Sequence, residues 1–331
     1  MELIEQFLQW LEFNKGRSVN TCIKYRLYLV RLNDYLPSEL ISAERGELES
    51  FVGIDAHKSG MSPKSRKPMV AAIRGFYTWL YREEKISNNP SEAINYPSVG
   101  NKLPTAASLQ TAEKLLMGPD LNTLKGVRDA AILALLIGGG LRVSGLRKLN
   151  ESHLLWTEDD DGTERLTLKL TEKGDKDRLL PMTTEARLFI RAYLGHPNLK
   201  HIDRTLSNSD KVLFISLRNR SIPEYDYRGE LRRLSARSIN DMIHLYGEQQ
   251  GLPTNQLHSH AMRHLFGTEM AESDIDLLQR QTLLGHADPK TTEIYTKLAT
   301  RKLARVVDVA SPLRKIKTPM TDIAKIIENN K

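Results

Sequence analysis

Apolar residues recur at helical spacing over most of the N-terminal third of the chain. Leu3, Ile4, Phe7, Leu8 and Leu11 fall on one stripe, the i, i+3/i+4 signature of a half-buried helix. Gly16-Arg17-Ser18 interrupts it, with Ser18 placed to cap a second helix whose inner side carries Cys22, Tyr25, Leu29, Leu32 and Leu36. Val70–Tyr81 repeats the logic through Ile73, Phe76, Tyr77 and Leu80, and Pro68 is expected to open that helix, since proline fits the first turn. Periodicity then stops across a stretch punctuated by Asn88-Asn89-Pro90, Tyr96-Pro97 and Leu103-Pro104. This predicts a helical domain over 1–98, a linker over 99–105 and a second domain over 106–331.

The second domain opens with helices over Leu109–Met117 and Val127–Ile137, the latter stopped by Gly138-Gly139-Gly140. Leu166, Leu168 and Leu170 alternate with polar residues as a half-buried strand does, and Arg178–Pro181 returns beyond the turn Lys173-Gly174-Asp175 as its hairpin partner. Helices resume at Thr184–Leu194, Ser238–Gln249, His260–Glu272 and Asp276–Leu283. The expected fold is mainly α with a small antiparallel β-sheet, in two domains. After 298 an apolar stripe including Ile323, Ile326 and Ile327 marks a tail that packs in cis or docks on a neighbouring protomer.

Charge changes the picture. The chain of 331 residues carries a net charge of +7, which suits a polyanionic partner. Two segments are basic without a single acid: 13–33, with Lys15, Arg17, Lys24, Arg26 and Arg31, and 56–82, with Lys64, Arg66, Lys67 and Arg74. One-sign runs in one small domain point to a phosphate-facing surface. Cys22 is the only cysteine, so a reducing compartment is expected. The start of the chain is acidic and amphipathic, unlike a signal peptide, and no apolar run is long enough for a membrane span. These features predict a cytoplasmic protein with no membrane partner.

The candidate chemistry lies in six residues: Arg142, Lys173, His260, Arg263, His286 and Tyr295. Attack on a phosphodiester builds negative charge on its non-bridging oxygens. Two guanidinium forks, Arg142 and Arg263, suit that charge. Tyr295 as nucleophile needs a base, because a phenol ordinarily titrates near 10. His260 fits, being on the same helical face as Arg263. Lys173 at a hairpin tip could protonate the leaving oxygen, with Lys176 its rival. His286 would donate to the phosphate or support the tyrosine. His258, His260 and His264 also invite a metal reading, since His260 and His264 stand one turn apart. No carboxylate lies between them and Arg263 puts a cation beside the supposed ion, so neither metal nor other cofactor is expected.

These segments resemble the tyrosine recombinases of the phage integrase and Xer type, over nearly the whole chain. Gly140-Leu141-Arg142-Val143-Ser144 resembles the first-arginine box of that family, and Glu172-Lys173-Gly174-Asp175-Lys176-Asp177-Arg178 its hairpin lysine segment. His260-Ala261-Met262-Arg263-His264, Leu284-Gly285-His286 and Thr291-Thr292-Glu293-Ile294-Tyr295-Thr296 match the remaining boxes. The resemblance implies a SAM-like core-binding domain and an α+β catalytic domain clamped around double-stranded DNA. It implies a tetramer on two DNA sites, a 3′-phosphotyrosine at Tyr295 and exchange through a Holliday junction, nucleoid-associated when bound, with an accessory or heteromeric recombinase partner left open. Integration, excision, inversion and dimer resolution share that chemistry. The alternative is an inactive architectural member of the same fold. Two departures stand out: Gly145 occupies a position where the family usually has Glu or Asp, and 197–233 is long enough to look inserted.

Overall fold

The computed structural model describes residues 1–100, 105–159, 161–171, 177–273, 275, 279, 283, 306–317 and 319. The chain divides into two compact units, Met1–Lys102 and Leu103–Lys331.

Unit one is helical. Helix α1 (Glu2–Phe13) buries Ile4, Phe7, Leu8 and Leu11, the predicted stripe. Helix α2 (Val19–Tyr35) starts at Ser18, whose hydroxyl accepts from the Thr21 N–H. A short helix α3 (Arg45–Ser50) runs through a wider π turn (Phe51–Asp55) into α4 (Ala56–Lys58). Helix α5 spans Pro63–Arg82, capped by Ser62, so Pro63 rather than Pro68 occupies its first turn. Pro68 sits inside the helix, beyond the first turn, where its missing N–H forgoes the bond to the Lys64 carbonyl. Phe7 meets Phe76 edge-on with ring centroids 5.4 Å apart and also packs against Trp79. Each such fully buried side chain contributes about 1.5–3 kcal/mol relative to exposure. Cys22 is buried in this core.

Unit two is built around one helix. After α6 (Leu109–Met117) comes α7 (Leu124–Gly139), buried on nearly every side. Then follow α8 (Val143–Arg147), strands β1 (Leu154–Glu158), β2 (Glu164–Thr171) and β3 (Asp177–Pro181), and α9 (Thr184–Gly195). The strands form an antiparallel meander in the order β1-β2-β3, with Leu168 opposite both Leu154 and Leu180. All three leucines are buried, so one face of the sheet closes on the helices. Strand β1 is an addition to the sequence-based expectation.

Helices α10 (Ala236–Gln249) and α11 (Ser259–Glu272) complete the shell. Between α9 and α10, Leu199 and Val212–Ile215 enter the core, so the segment 197–233 is only partly a surface addition. Arg128 of α7 binds it in place, and Asp129 holds Arg128. The Arg128 Nη1 donates to the Ile215 carbonyl at 2.7 Å, and Asp129 accepts from Arg128 and from the Tyr246 hydroxyl at 2.9 Å.

The described part of the tail packs on its own unit. Val307, Ala310, Leu313 and Ile316 are buried. The Leu313 side chain lies so close to Gly138 that a Cβ there would approach it to 2.6 Å. Asp308 pairs with Arg165 and accepts from the Thr184 N–H, while Lys315 pairs with the buried Glu269 of α11. The rest of the apolar tail stripe, including Ile323, Ile326 and Ile327, lies outside the described residues.

Candidate active site

Two chain segments far apart in sequence make the site. The first is the turn after α7. Gly140 adopts φ 57° and ψ 32°, the left-handed region open to glycine, and a Cβ there would strike the Phe266 ring at 2.6 Å. Glycine is therefore needed both for the turn and for the close approach of α11. Leu141 then plugs into the core, and Arg142 takes the N-cap position of α8.

The second segment is α11. Its N-cap is His258, whose Nδ1 accepts from the Ala261 N–H at 3.0 Å. Burying Ala261, Met262, Leu265 and Phe266 fixes the helix rotation. Arg263 is 6% exposed, and its Nη1 donates to the Gly140 carbonyl at 2.7 Å. That bond fastens the helix carrying one candidate arginine to the turn presenting the other. His260 lies one turn earlier on the accessible side, with the His264 ring stacked beside it at 5.8 Å. Arg142, His260, Arg263 and His264 line one open cleft of about 590 Å³, which continues past Thr268 to Glu272.

The electrostatics favour an unprotonated base. Burial, then the charges of His264, Arg263, His258 and Arg142, hold the His260 imidazole below its ordinary 6.5. His264 is lowered as well, chiefly by burial. At neutral pH His260 is thus poised to accept a proton beside two permanent cations. Among the described residues no group of three or more His, Cys, Asp or Glu side chains could hold a metal ion; His258 already uses Nδ1 as a cap.

Of the six predicted site residues, the structure brings Arg142, His260 and Arg263 together. Lys173, its rival Lys176, His286 and Tyr295 lie outside the described residues. Sequence reasoning missed a link flanking them. Arg178 on β3 donates from Nη1 to the Leu283 carbonyl at 2.9 Å, joining the strand after the lysine segment to the chain just before Leu284-Gly285-His286. It also missed His264 and Thr268 as cleft walls, which their positions at i+4 and i+8 from His260 could have signalled.

The predicted DNA-facing residues of unit one divide into two groups. Arg17, Lys24, Lys64 and Lys67 are exposed, and Lys15 lies over the Trp10 ring at 5.2 Å. The others are engaged within the unit. Arg26 pairs with Glu5, and Arg31 with Asp55 at 2.6 Å. Arg66 donates to the Val52 and Gly53 carbonyls, and Arg74 to the Ile94 carbonyl at 3.0 Å.

Comparison with known proteins gives a consistent result. Residues 109–302 match the phage integrase family, and 4–84 match the phage integrase N-terminal SAM-like domain. A tyrosine recombinase XerC from Myxococcus xanthus is 32% identical over 317 residues, covering 94% of this chain and 97% of that protein. A tyrosine recombinase XerD from Proteus mirabilis is 31% identical over 306 residues, covering 91% and 90%. Among solved structures, the XerH site-specific recombinase bound to a palindromic difH substrate, a post-cleavage complex, aligns with a TM-score of 0.63. It does so at 19% identity, over 92% of this chain and 84% of that one. A lambda integrase dimer bound to a COC' core site aligns with a TM-score of 0.62 at 15% identity, covering 88% and 96%. At those identities the structures speak for the fold.

Proposed function

The chain belongs to the phage integrase family and is an enzyme of the tyrosine recombinase type, and on that premise we propose that it cuts and rejoins duplex DNA at specific sites through a phosphotyrosine at Tyr295. The observation that carries the reading is the Arg263–Gly140 bond. It holds two guanidiniums and a neutral imidazole around one cleft. All six candidate residues fall inside the span matched by the family.

In this mechanism Arg142 and Arg263 clamp the non-bridging oxygens of the scissile phosphate and strengthen as charge develops there. His260 takes the phenolic proton as Tyr295 attacks phosphorus. The bond to the 5′ oxygen breaks, and Lys173 supplies the proton that leaves a 5′ hydroxyl. His286 donates to the phosphate or steadies the tyrosine. The 5′ hydroxyl of a partner duplex then attacks the 3′-phosphotyrosine and regenerates the phenol. One phosphodiester is exchanged for another through an ester of similar energy, so ATP has no place in the balance. Paired exchanges on two sites require four protomers and pass through a Holliday junction. A second recombinase of the same kind could fill some of those positions.

The test is covalent capture. Duplexes cut by the protein are selected from a random library, rebuilt with a nick beside the cut, and incubated with the full chain. A denaturation-resistant protein–DNA adduct is expected; its absence on every selected duplex overturns the proposal.

The pH dependence follows from His260. As the folded-state value lies below 6.5, more than half of the base is still neutral at pH 6.5, and the rest is lost as pH falls further. The second-order rate of adduct formation, which reports the free protein, should therefore keep more than half of its pH 8 value at pH 6.5 and decline further on the acid side. Replacing His264 with phenylalanine removes a lowering charge and should move that limb upward. A wild-type inflection at or above 6.5 would count against His260 as the base.

For the N-terminal unit, exposed Lys24 and Lys64 are assigned to backbone phosphates. Changing either to alanine should flatten the log affinity against log salt line by about 0.9. An unchanged slope would place that lysine in solvent.

A further inference from the structure

A second cleft, of about 300 Å³, opens where α8 meets the sheet, and Gly145 forms part of its wall. Nothing in the backbone requires glycine at 145. Its φ is not in the left-handed region, and a Cβ built there meets no atom within 4 Å. Glycine also weakens a helix relative to alanine. What the missing side chain does is leave the cleft open.

The lining is cationic. Arg147 and Lys148, at the end of α8, are exposed, and neither has a carboxylate partner among the described residues. Lys169 reaches in from β2, tied to Asp177 at 2.9 Å, and Glu230 is engaged by the Arg233 Nε at 2.7 Å. His153 adds a neutral donor. Its Nδ1 accepts from the Asn150 N–H at 3.1 Å, which leaves the proton on Nε2. Two cations with no carboxylate partner among the described residues, a fixed N–H and an open volume form a receptor for a singly charged oxyanion.

Location identifies the anion. Arg142 caps the start of α8 and Lys148 follows its end. At a rise of about 1.5 Å per residue the two backbone positions lie roughly 9 Å apart. One DNA strand presents a phosphate about every 3.4 Å of axis. A strand seated at Arg142 therefore brings another phosphate of its own to this cleft within about three nucleotides.

We propose that the cleft beside Gly145 is a second phosphodiester subsite, in which Arg147, Lys148 and the His153 Nε2–H grip the bound strand near the linkage held by Arg142. A phosphate fixed on each side of α8 sets the position of the strand along the helix and so the register of the reacting bond. Gly145 is what admits it. A carboxylate at 145 would fill the opening and oppose the phosphate charge. The subsite rests on the recombinase reading for its role in register, but its binding does not depend on cleavage.

The test is salt-dependent binding of the full chain to a fluorescein-labelled duplex of random sequence. The variants are Lys148→Ala, Gly145→Glu and Gly145→Ala, with thermal melts to confirm folding. Lys148→Ala and Gly145→Glu should each make the log–log slope shallower by about 0.9, and Gly145→Ala should leave it unchanged. A wild-type slope in Lys148→Ala overturns the subsite. So does a Gly145→Glu variant that binds with the wild-type slope and forms adduct faster, since the opening would then be room for a missing carboxylate. The adduct assay separates the two claims: no adduct with wild type defeats the recombinase reading, while the slopes still decide the subsite.

Discussion

Changing Tyr295 to phenylalanine should abolish the covalent protein–DNA adduct and leave DNA affinity unchanged. The substitution removes one oxygen and keeps the ring, so packing is conserved while the nucleophile disappears. Covalent catalysis has no partial substitute for its attacking atom, and the expected loss is complete within the detection of a denaturing gel. Several rival phenols are already committed as donors. The Tyr77 hydroxyl donates to the Leu40 carbonyl at 2.9 Å, Tyr193 to the Leu213 carbonyl at 2.8 Å and Tyr246 to Asp129 at 2.9 Å. Burial raises all three further from ionisation. An adduct that persists in the Phe variant would put the nucleophile elsewhere, and peptide mapping of the DNA-linked fragment would show where.

What the sequence makes legible follows the range of the interactions. Helix α6 is read with its observed ends, Leu109 and Met117, because its signals are local: Ser108 caps it, and its side chain accepts from the Thr111 N–H. The start of α5 is misplaced because two prolines compete for one role, and Ser62 decides for Pro63. Strand β1 escapes because Leu154-Leu155-Trp156-Thr157-Glu158 lacks strict alternation; pairing with β2 defines it. The same division runs through the site. His260 and Arg263 are readable as a pair since one helical turn joins them. The bond from Arg263 to the Gly140 carbonyl spans 123 positions and has no sequence signature. The basic runs look uncompensated for the same reason. Glu5 and Asp55, which neutralise Arg26 and Arg31, stand 21 and 24 positions away.

Arg263 should show the second-largest effect, because it serves two ends at once. As an oxyanion donor its removal should cost about 10²–10³ in the single-turnover cleavage rate, or roughly 3–4 kcal/mol. As the partner of a buried carbonyl its loss also leaves Gly140 unsatisfied, at about 1–3 kcal/mol of stability. Lysine at 263 separates the two roles. Its ammonium can still donate once to the Gly140 oxygen, yet it is a point charge and cannot fork across two phosphate oxygens. Arg263→Lys should therefore recover much of the melting temperature lost in Arg263→Ala without recovering the rate. Arg142→Ala makes the complementary case. Arg142 is half-buried at the N-cap of α8, on the other side of the cleft from α11, and its removal should lower cleavage comparably. If Arg263→Lys cleaved at nearly the wild-type rate, the fork would be irrelevant and the residue would act only as a strut between α11 and the Gly140 turn. A rate lost in step with melting temperature across all three variants would say the same.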